Sequence, residues 1–259
     1  MAKLHLNRVK EGTGPTIVLS HALGCTLGMW DEVAALLQAD YCVLRYDHRG
    51  HGKSAAPAGP YSISMLADDA ADLIAAEAGG PVHFVGLSLG GMVAQALAAR
   101  HPEWVKSIVV ANSSNWYDDA ARAMWQARIA TVREKGVEAI ADGAMPRWFT
   151  AAFRADPVGG QRVAQMRADL VRTDAVAYIA SCQAIAAMDL RDLGSSIACP
   201  TLVVAGTLDE STPLALSETI AGGIDGAQIE TIAAAHLSAV EQPAAFAALL
   251  REFIGELED

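Results

Sequence analysis

Positive charge is scarce in this 259-residue chain: 19 lysines and arginines stand against 30 aspartates and glutamates, for a formal net charge of -11. That balance argues against nucleic acid or an anionic membrane surface as partner, since both select clustered Lys and Arg. Long apolar runs are also missing. Nothing approaches the roughly 18 residues of a membrane span, and charges interleaved through residues 1–12 leave no apolar segment for a secretory leader. The four cysteines, Cys25, Cys42, Cys182 and Cys199, are scattered without a C-x-x-C pair or a histidine at ligand spacing. They read as buried free thiols of a cytoplasmic protein, with no disulfide and no metal site expected. Aromatics make up only 6% of a chain that is 52% hydrophobic, so the core must be built mainly from Ala, Val, Leu and Ile. The length suits one large domain, or a domain carrying a substantial insertion.

What is present is organised around Val82-His83-Phe84-Val85-Gly86-Leu87-Ser88-Leu89-Gly90-Gly91-Met92, an apolar strand that turns through G-L-S-L-G into an Ala-rich helix. A serine on a tight strand-to-helix turn needs small neighbours, which Gly86, Gly90 and Gly91 supply. The helix directs its N-terminal amides at any oxyanion forming beside the serine. Ser88 is therefore the expected nucleophile, with the Leu89 N–H as one oxyanion donor.

Upstream, Leu4, Leu6 and Val9 suggest an edge strand, and residues 16–20 (TIVLS) form a buried strand that feeds into His21-Ala22-Leu23-Gly24-Cys25. A small-residue loop after an early core strand suits the second oxyanion donor, assigned here to the Leu23 N–H. His21 either orients this loop by hydrogen bonding or touches substrate. The next strand, residues 41–46, ends in Asp47-His48-Arg49-Gly50-His51-Gly52-Lys53-Ser54. That loop is read as a structural turn in which Asp47 pairs with Arg49, because nothing completes a metal-ligand set. A helix follows from Ser62, with Asp68, Asp69 and Asp72 mostly on its outer face.

After a strand at residues 107–112, no comparable run appears until residues 201–206. The interval is too long for one crossover helix and predicts a helical insertion, with helices over residues 120–134, 137–142, 160–172 and 174–187. Trp116, Trp125 and Trp148 fall there, with Met124, Met145, Phe149 and Phe153, as the apolar underside of a lid would require. Of these, Trp148 is the expected substrate contact. The division is thus a core of residues 1–114 and 195–259 with a lid of residues 115–194.

Asp209 follows the strand at residues 201–206, and His236 follows a last strand at residues 228–232. A serine hydroxyl needs a base within hydrogen-bond reach. His236 would take the Ser88 proton, and Asp209 would fix its tautomer and stabilise its cation. Asp118 or Asp119 is the rival acid. Such chemistry needs no cofactor. An amphipathic helix from Pro243 to about Leu257 closes the chain.

With these residues in place the chain resembles the α/β-hydrolase superfamily throughout, and within it the 3-oxoadipate enol-lactonases. The resemblance rests on L-R-Y-D-H-R-G-H-G-K-S, G-P-Y-S-I, G-L-S-L-G-G, P-R-W-F-T, C-Q-A-I-A-A-M-D-L-R, A-G-T-L-D-E-S-T-P and A-A-H-L-S-A-V-E. It implies an α/β-hydrolase fold: a mostly parallel sheet, helices on both faces and an inserted helical lid. It also implies Ser88, Asp209 and His236 as triad, Trp148 in the pocket, and hydrolysis of a small lactone or ester with water. The substrate would be 3-oxoadipate enol-lactone, of bacterial aromatic catabolism. That lactone carries a carboxylate, for which Arg147 or Arg133 is a candidate cation. The lactonases usually have Asn-Ser where this chain has His21-Ala22. Rival readings are a carboxylesterase or perhydrolase, a carbon–carbon bond hydrolase of ring-cleavage products, and a ligand receptor on the same fold.

Overall fold

Short runs rich in Val, Ile and Leu, bounded by Gly, Pro and polar turns, have few places to go except the middle of a sheet covered on both faces. In the computed structural model, which describes residues 4–258, they do so. Seven strands form one sheet: β1 (Arg8–Glu11), β2 (Thr16–Ser20), β3 (Cys42–Tyr46), β4 (Val82–Leu87), β5 (Val105–Ala111), β6 (Thr201–Gly206) and β7 (Gln228–Ile232). Their spatial order is β1-β3-β2-β4-β5-β6-β7. Only β1 runs antiparallel to its neighbour, pairing Arg8 with Tyr46 and Glu11 with Val43. Strands β3, β4 and β6 are buried along their whole length.

The order reverses direction beside β2: the chain steps to β3, then returns past β2 to β4. At such a switch the loops leaving the two central strands splay apart and open a crevice at the carboxyl ends. Those loops here are residues 21–25 after β2 and Ser88 after β4, the stretches expected to carry the oxyanion donor and the nucleophile.

Helices α1 (Asp31–Leu37), α2 (Ile63–Glu77) and α3 (Leu89–Arg100) connect the first strands. Residues 89–98 of α3 are buried on every side, which its small residues permit. A Cβ on Gly90 would stand 2.1 Å from the Ser20 carbonyl oxygen, and one on Gly86 2.0 Å from the Gly90 carbonyl oxygen. Backbone at such distances cannot yield locally, so Gly90→Ala is expected to lower Tm by roughly 5–10 °C in a thermal melt.

Between β5 and β6 lie α4 (Asp119–Lys135), α5 (Glu138–Trp148), α6 (Ala151–Ala155), α7 (Pro157–Arg172) and α8 (Ala175–Ala187). These pack on one another, α4 against α8 and α5, and α7 against α5 and α6. Two expected helices are longer than the sequence suggested. Helix α5 runs on through Gly143 and Pro146 to Trp148. Helix α7 begins at Pro157, where a proline costs no hydrogen bond, under an Asp156 carboxylate that accepts from the Val158 and Gly159 amides. Helix α6 was not anticipated. After β6 come α9 (Leu214–Gly223), α10 (Ser238–Glu241) and α11 (Pro243–Glu258), and α11 packs on α1. No helix among the described residues is long and apolar enough to cross a membrane. All four thiols are free; three are buried and Cys199 is partly exposed. Of the charged amino-terminal stretch, residues 1–3 lie outside the described residues.

Candidate active site

Ser88 sits between β4 and α3 with φ 57° and ψ -112°, a left-handed φ that a residue other than glycine rarely holds. Its neighbours enforce the turn. The Ser88 N–H donates to the Ala111 carbonyl at 2.9 Å, and the Ser88 carbonyl accepts from Ser113 Oγ at 2.8 Å. The side chain thereby stands clear of the sheet, with Oγ 3.0 Å from His236 Nε2. On the far side of the ring, His236 Nδ1 lies 2.8 Å from Asp209 Oδ2. Nδ1 faces a carboxylate that can only accept, so it carries the proton and Nε2 is free to accept from the serine.

Asp209 is buried at the end of β6 and is met by donors from every direction. Oδ1 accepts from the Ser211 and Thr212 amides at 2.7 and 3.0 Å. Oδ2 accepts from Thr212 Oγ1 at 2.6 Å and Asn112 Nδ2 at 3.0 Å, besides His236. Burial alone would raise this carboxyl, but the His236 ring and the converging donors more than offset it and hold the group well below the usual carboxylate range. The rival acid is occupied elsewhere: Asp118 caps α4, accepting from the Ala121 amide at 2.8 Å. Asn112, Thr212 and Ser238, whose Oγ donates to Asn112 Oδ1 at 2.5 Å, were not singled out in the sequence. A threonine three residues after the acid, within one turn's reach, was a usable signal for Thr212.

Ser88 and His236 open onto a cavity of about 630 Å³. Ala22 and Leu23 line it from the β2 loop, Trp148 and Arg147 from α5, and Trp125 and Arg128 from α4. Trp148, the expected substrate contact, is on the cavity wall. Trp116 and Met124 join it on the cavity wall, whereas Phe149 and Phe153 stack on each other at 5.5 Å, away from the cavity.

Arg128 was not anticipated and Arg133 was, and helical geometry explains the exchange. Residues 121, 124, 125 and 128 share one face of α4. Arg133, five positions beyond 128, turns about 140° from that face and is exposed. Arg128 lies over the Trp125 ring, 5.2 Å from its centroid, and reaches Tyr178 Oη at 3.4 Å. Partial desolvation at the cavity wall and the neighbouring Arg128 hold the Arg147 guanidinium below its ordinary pKa. Among the described residues neither arginine forms an ion pair.

His21 does not reach the cavity. It is fully buried, with Nδ1 2.8 Å from the Ala22 carbonyl and Nε2 accepting from the His48 amide at 2.9 Å. With both nitrogens engaged by backbone groups and no exposed surface, the substrate-contact alternative is excluded. The expected Asp47–Arg49 pair is not formed either. Arg49 binds Asp69 through two hydrogen bonds of 2.5 and 2.6 Å, which draws Asp69 inward from the outer face of α2. Asp47 accepts instead from the Leu27 and Lys53 amides at 2.7 and 2.9 Å. No group of three or more His, Cys, Asp or Glu side chains among the described residues is arranged to hold a metal ion.

The cavity roof is tied to the His236 loop. The Leu237 N–H donates to the Trp148 carbonyl at 3.1 Å. The buried Glu241 carboxylate accepts from the Ala235 amide at 2.9 Å with one oxygen, and from the Thr150 amide at 3.2 Å and hydroxyl with the other.

Comparison with known proteins agrees with this architecture. A family model described as "Alpha/beta hydrolase family" matches residues 17–249. The chain is similar to 3-oxoadipate enol-lactonase 2 of Acinetobacter baylyi, at 38% identity over 90% of this chain and 85% of the relative. It is also similar to 3-oxoadipate enol-lactonase 1 of that organism, at 34% identity over 94% and 90%. Among solved structures, the enol-lactonase from Burkholderia xenovorans LB400 superposes with a TM-score of 0.92 at 36% identity, covering 97% of each chain. A family match over most of the sequence, a matching fold and relatives of this similarity establish that the chain belongs to the alpha/beta hydrolase family and is an ester hydrolase.

Proposed function

We propose that the chain hydrolyses a small carboxylated lactone, 3-oxoadipate enol-lactone, through an acyl-enzyme on Ser88. The observation that carries this reading is the placement of two unpaired guanidiniums, Arg128 and Arg147, in the same cavity as the serine. Arg128 is partly exposed and Arg147 exposed, and although Asp118 and Glu210 also line the cavity, neither arginine is ion-paired with them, which leaves both guanidiniums available to an anionic ligand. The relatives named above act on a lactone bearing one carboxylate.

In the proposed reaction His236 Nε2 takes the Ser88 proton as Oγ attacks the lactone carbonyl. The Leu23 and Leu89 amides stabilise the oxyanion, each worth about 10²–10³ in rate. Collapse breaks the ring C–O bond, and His236 returns its proton to the enol oxygen, which stays tethered to the acyl group. Water, deprotonated by the same imidazole, then releases the acid, and the enol relaxes to the ketone. Residues 115–194 act as the lid that roofs this chamber. Asp209 acts on the imidazole, and Trp148 walls the substrate.

The test pairs the carboxylated lactone with α-angelica lactone, the same ring with a methyl group in place of the acetate side chain. Wild type is expected to prefer the carboxylated ring. Arg128→Gln and Arg147→Gln are expected to lose about 10- to 100-fold in kcat/KM on it while handling α-angelica lactone normally. Equal losses on both lactones would refute the carboxylate assignment. A second reading, a carboxylesterase of neutral aryl esters, draws on the apolar wall of Trp116, Met124, Trp125 and Trp148. It predicts that p-nitrophenyl acetate outperforms either lactone.

A further inference from the structure

The loop after β3 contributes His48 and His51 to a buried cluster with His21, and the reaction described above uses none of the three. Their ring centroids lie 4.5 Å apart for His21–His48 and 5.2 Å for His21–His51. Three imidazoles packed together away from water cannot all be charged. Their contacts fix the protonation of two. Backbone amides can only donate, so the nitrogen each one meets must be an acceptor. The His48 amide meets His21 Nε2 at 2.9 Å and the Gly24 amide meets His51 Nε2 at 3.1 Å. The proton of each ring is therefore on Nδ1, where it donates to the Ala22 carbonyl at 2.8 Å and the Arg49 carbonyl at 3.1 Å respectively.

The object held between them is a turn. Cys25 N–H donates to the Ala22 carbonyl at 3.1 Å, and Gly24 sits at φ 74°, so residues 22–25 form a type II turn with Leu23 at its first corner. The Ala22 carbonyl thus receives two donors, Cys25 N–H and His21 Nδ1–H. In a planar trans peptide the N–H points opposite to the C=O. Pinning that carbonyl on the protein side aims the Leu23 N–H outward, where Leu23 lines the cavity beside Ser88. His51 anchors the next amide of the same turn.

We propose that His21 and His51 are positioning residues which, as neutral Nδ1–H imidazoles, lock the residue 22–25 turn so that the Leu23 N–H meets the oxyanion of the Ser88 adduct. This rests on Ser88 being the nucleophile and Leu23 an oxyanion donor. Burial, with the neighbouring His21 ring, pulls His51 down to about 3, so its acceptor nitrogen persists under any ordinary assay condition. Burial lowers His21 as well, against the opposing pull of Asp47 and Asp169.

The experiment compares wild type, His51→Met and His51→Gln on the carboxylated lactone and on p-nitrophenyl acetate. Each is also titrated with a trifluoromethyl ketone, whose carbonyl adds Ser88 Oγ as the proton passes to His236, leaving a tetrahedral oxyanion. For His51→Met, kcat is expected to fall about 10- to 100-fold on both substrates, part of the 10²–10³ that a whole donor is worth. KM should stay within about twofold, and Ki for the ketone should rise by the same factor as kcat falls. His51→Gln, which keeps an oxygen acceptor for the Gly24 amide, should recover most of both. Unchanged kcat and Ki in a folded His51→Met, or a change confined to KM, overturns the proposal. Should that variant not fold, the wild-type histidine ¹⁵N spectrum decides: Nδ1–H at both His21 and His51 supports the lock, and Nε2–H at either overturns it. The underlying reading fails separately, if Ser88→Ala keeps its turnover or the ketone forms no adduct with wild type.

Discussion

Ser88→Ala is expected to lower kcat by about five orders of magnitude or more, with Tm within about 2 °C of wild type. The size follows from the unit to which the serine belongs. On the proposed mechanism, loss of Oγ would leave His236 nothing to activate and no acyl-enzyme would form, so only binding and the oxyanion donors would remain. The stability follows from the turn. Alanine at φ 57° bears the same backbone strain as serine, and Oγ makes only the 3.0 Å contact with His236. The substitution therefore removes chemistry and leaves packing alone. Steady-state assays on protein made in a host lacking such hydrolases, beside thermal melts, check both halves. Residual activity above about 1% would end the assignment of Ser88 as nucleophile.

Asp209→Asn is expected to cost about 10⁴-fold in kcat. Five donors converge on the Asp209 carboxylate: two backbone amides on Oδ1, and Thr212 Oγ1, Asn112 Nδ2 and His236 Nδ1 on Oδ2. An amide has one acceptor oxygen, so whichever way the substituted side chain is turned, its NH₂ meets donors. The least costly relief is for His236 to give up its Nδ1 proton and take the Nε2–H tautomer. That places a proton where the serine needs an acceptor, and the base is lost with its position unchanged. Nitrogen shifts of the His236 ring in the variant report the switch directly.

The same carboxylate sets a pH dependence of stability. Its folded pKa is depressed, so the stability it contributes is fully present above about pH 4, the unfolded carboxyl value, and is lost as pH falls through the lower folded value. Urea melts between pH 3 and pH 7 should show wild type losing stability on acidification by more than Asp209→Asn does. Activity lost above about pH 4 has another origin than protonation of Asp209.

Strand periodicity and punctuation carried the sheet in the sequence, because a parallel strand buried on both faces writes itself as an unbroken apolar run. The order Ser88, Asp209, His236, each after its own strand, carried the candidate site for the same reason. Helix ends were harder to read: Pro146 lies within α5 and Pro157 starts α7, and only capping by Asp156 separates the two cases. Arg128 and Arg133 lie on one helix, and choosing between them required knowing which face of α4 meets the cavity. Asn112 at the end of β5 looks like an ordinary strand terminus. Its φ of 45° and its bond to Asp209 come from tertiary placement alone. The two histidines of the β3 loop tempt a metal assignment in one dimension, whereas in three His51 has both nitrogens on backbone groups and His48 Nε2 lies 3.0 Å from Ser20 Oγ and 3.2 Å from the His21 carbonyl.

The bonds from Glu241 to Thr150 and Ala235, and from Leu237 to Trp148, bear on how substrate gets in and out. A roof free to swing at its α5 end would carry Ala235 and Leu237 with it and drag the base off the nucleophile. Each admission of substrate would then dismantle the proton relay. The Met124 edge of α4, by contrast, faces solvent, and an opening there would leave the bonds of Glu241 and Leu237 in place. On the proposed mechanism, product leaving by that edge would keep Ser88 and His236 in register for the next cycle.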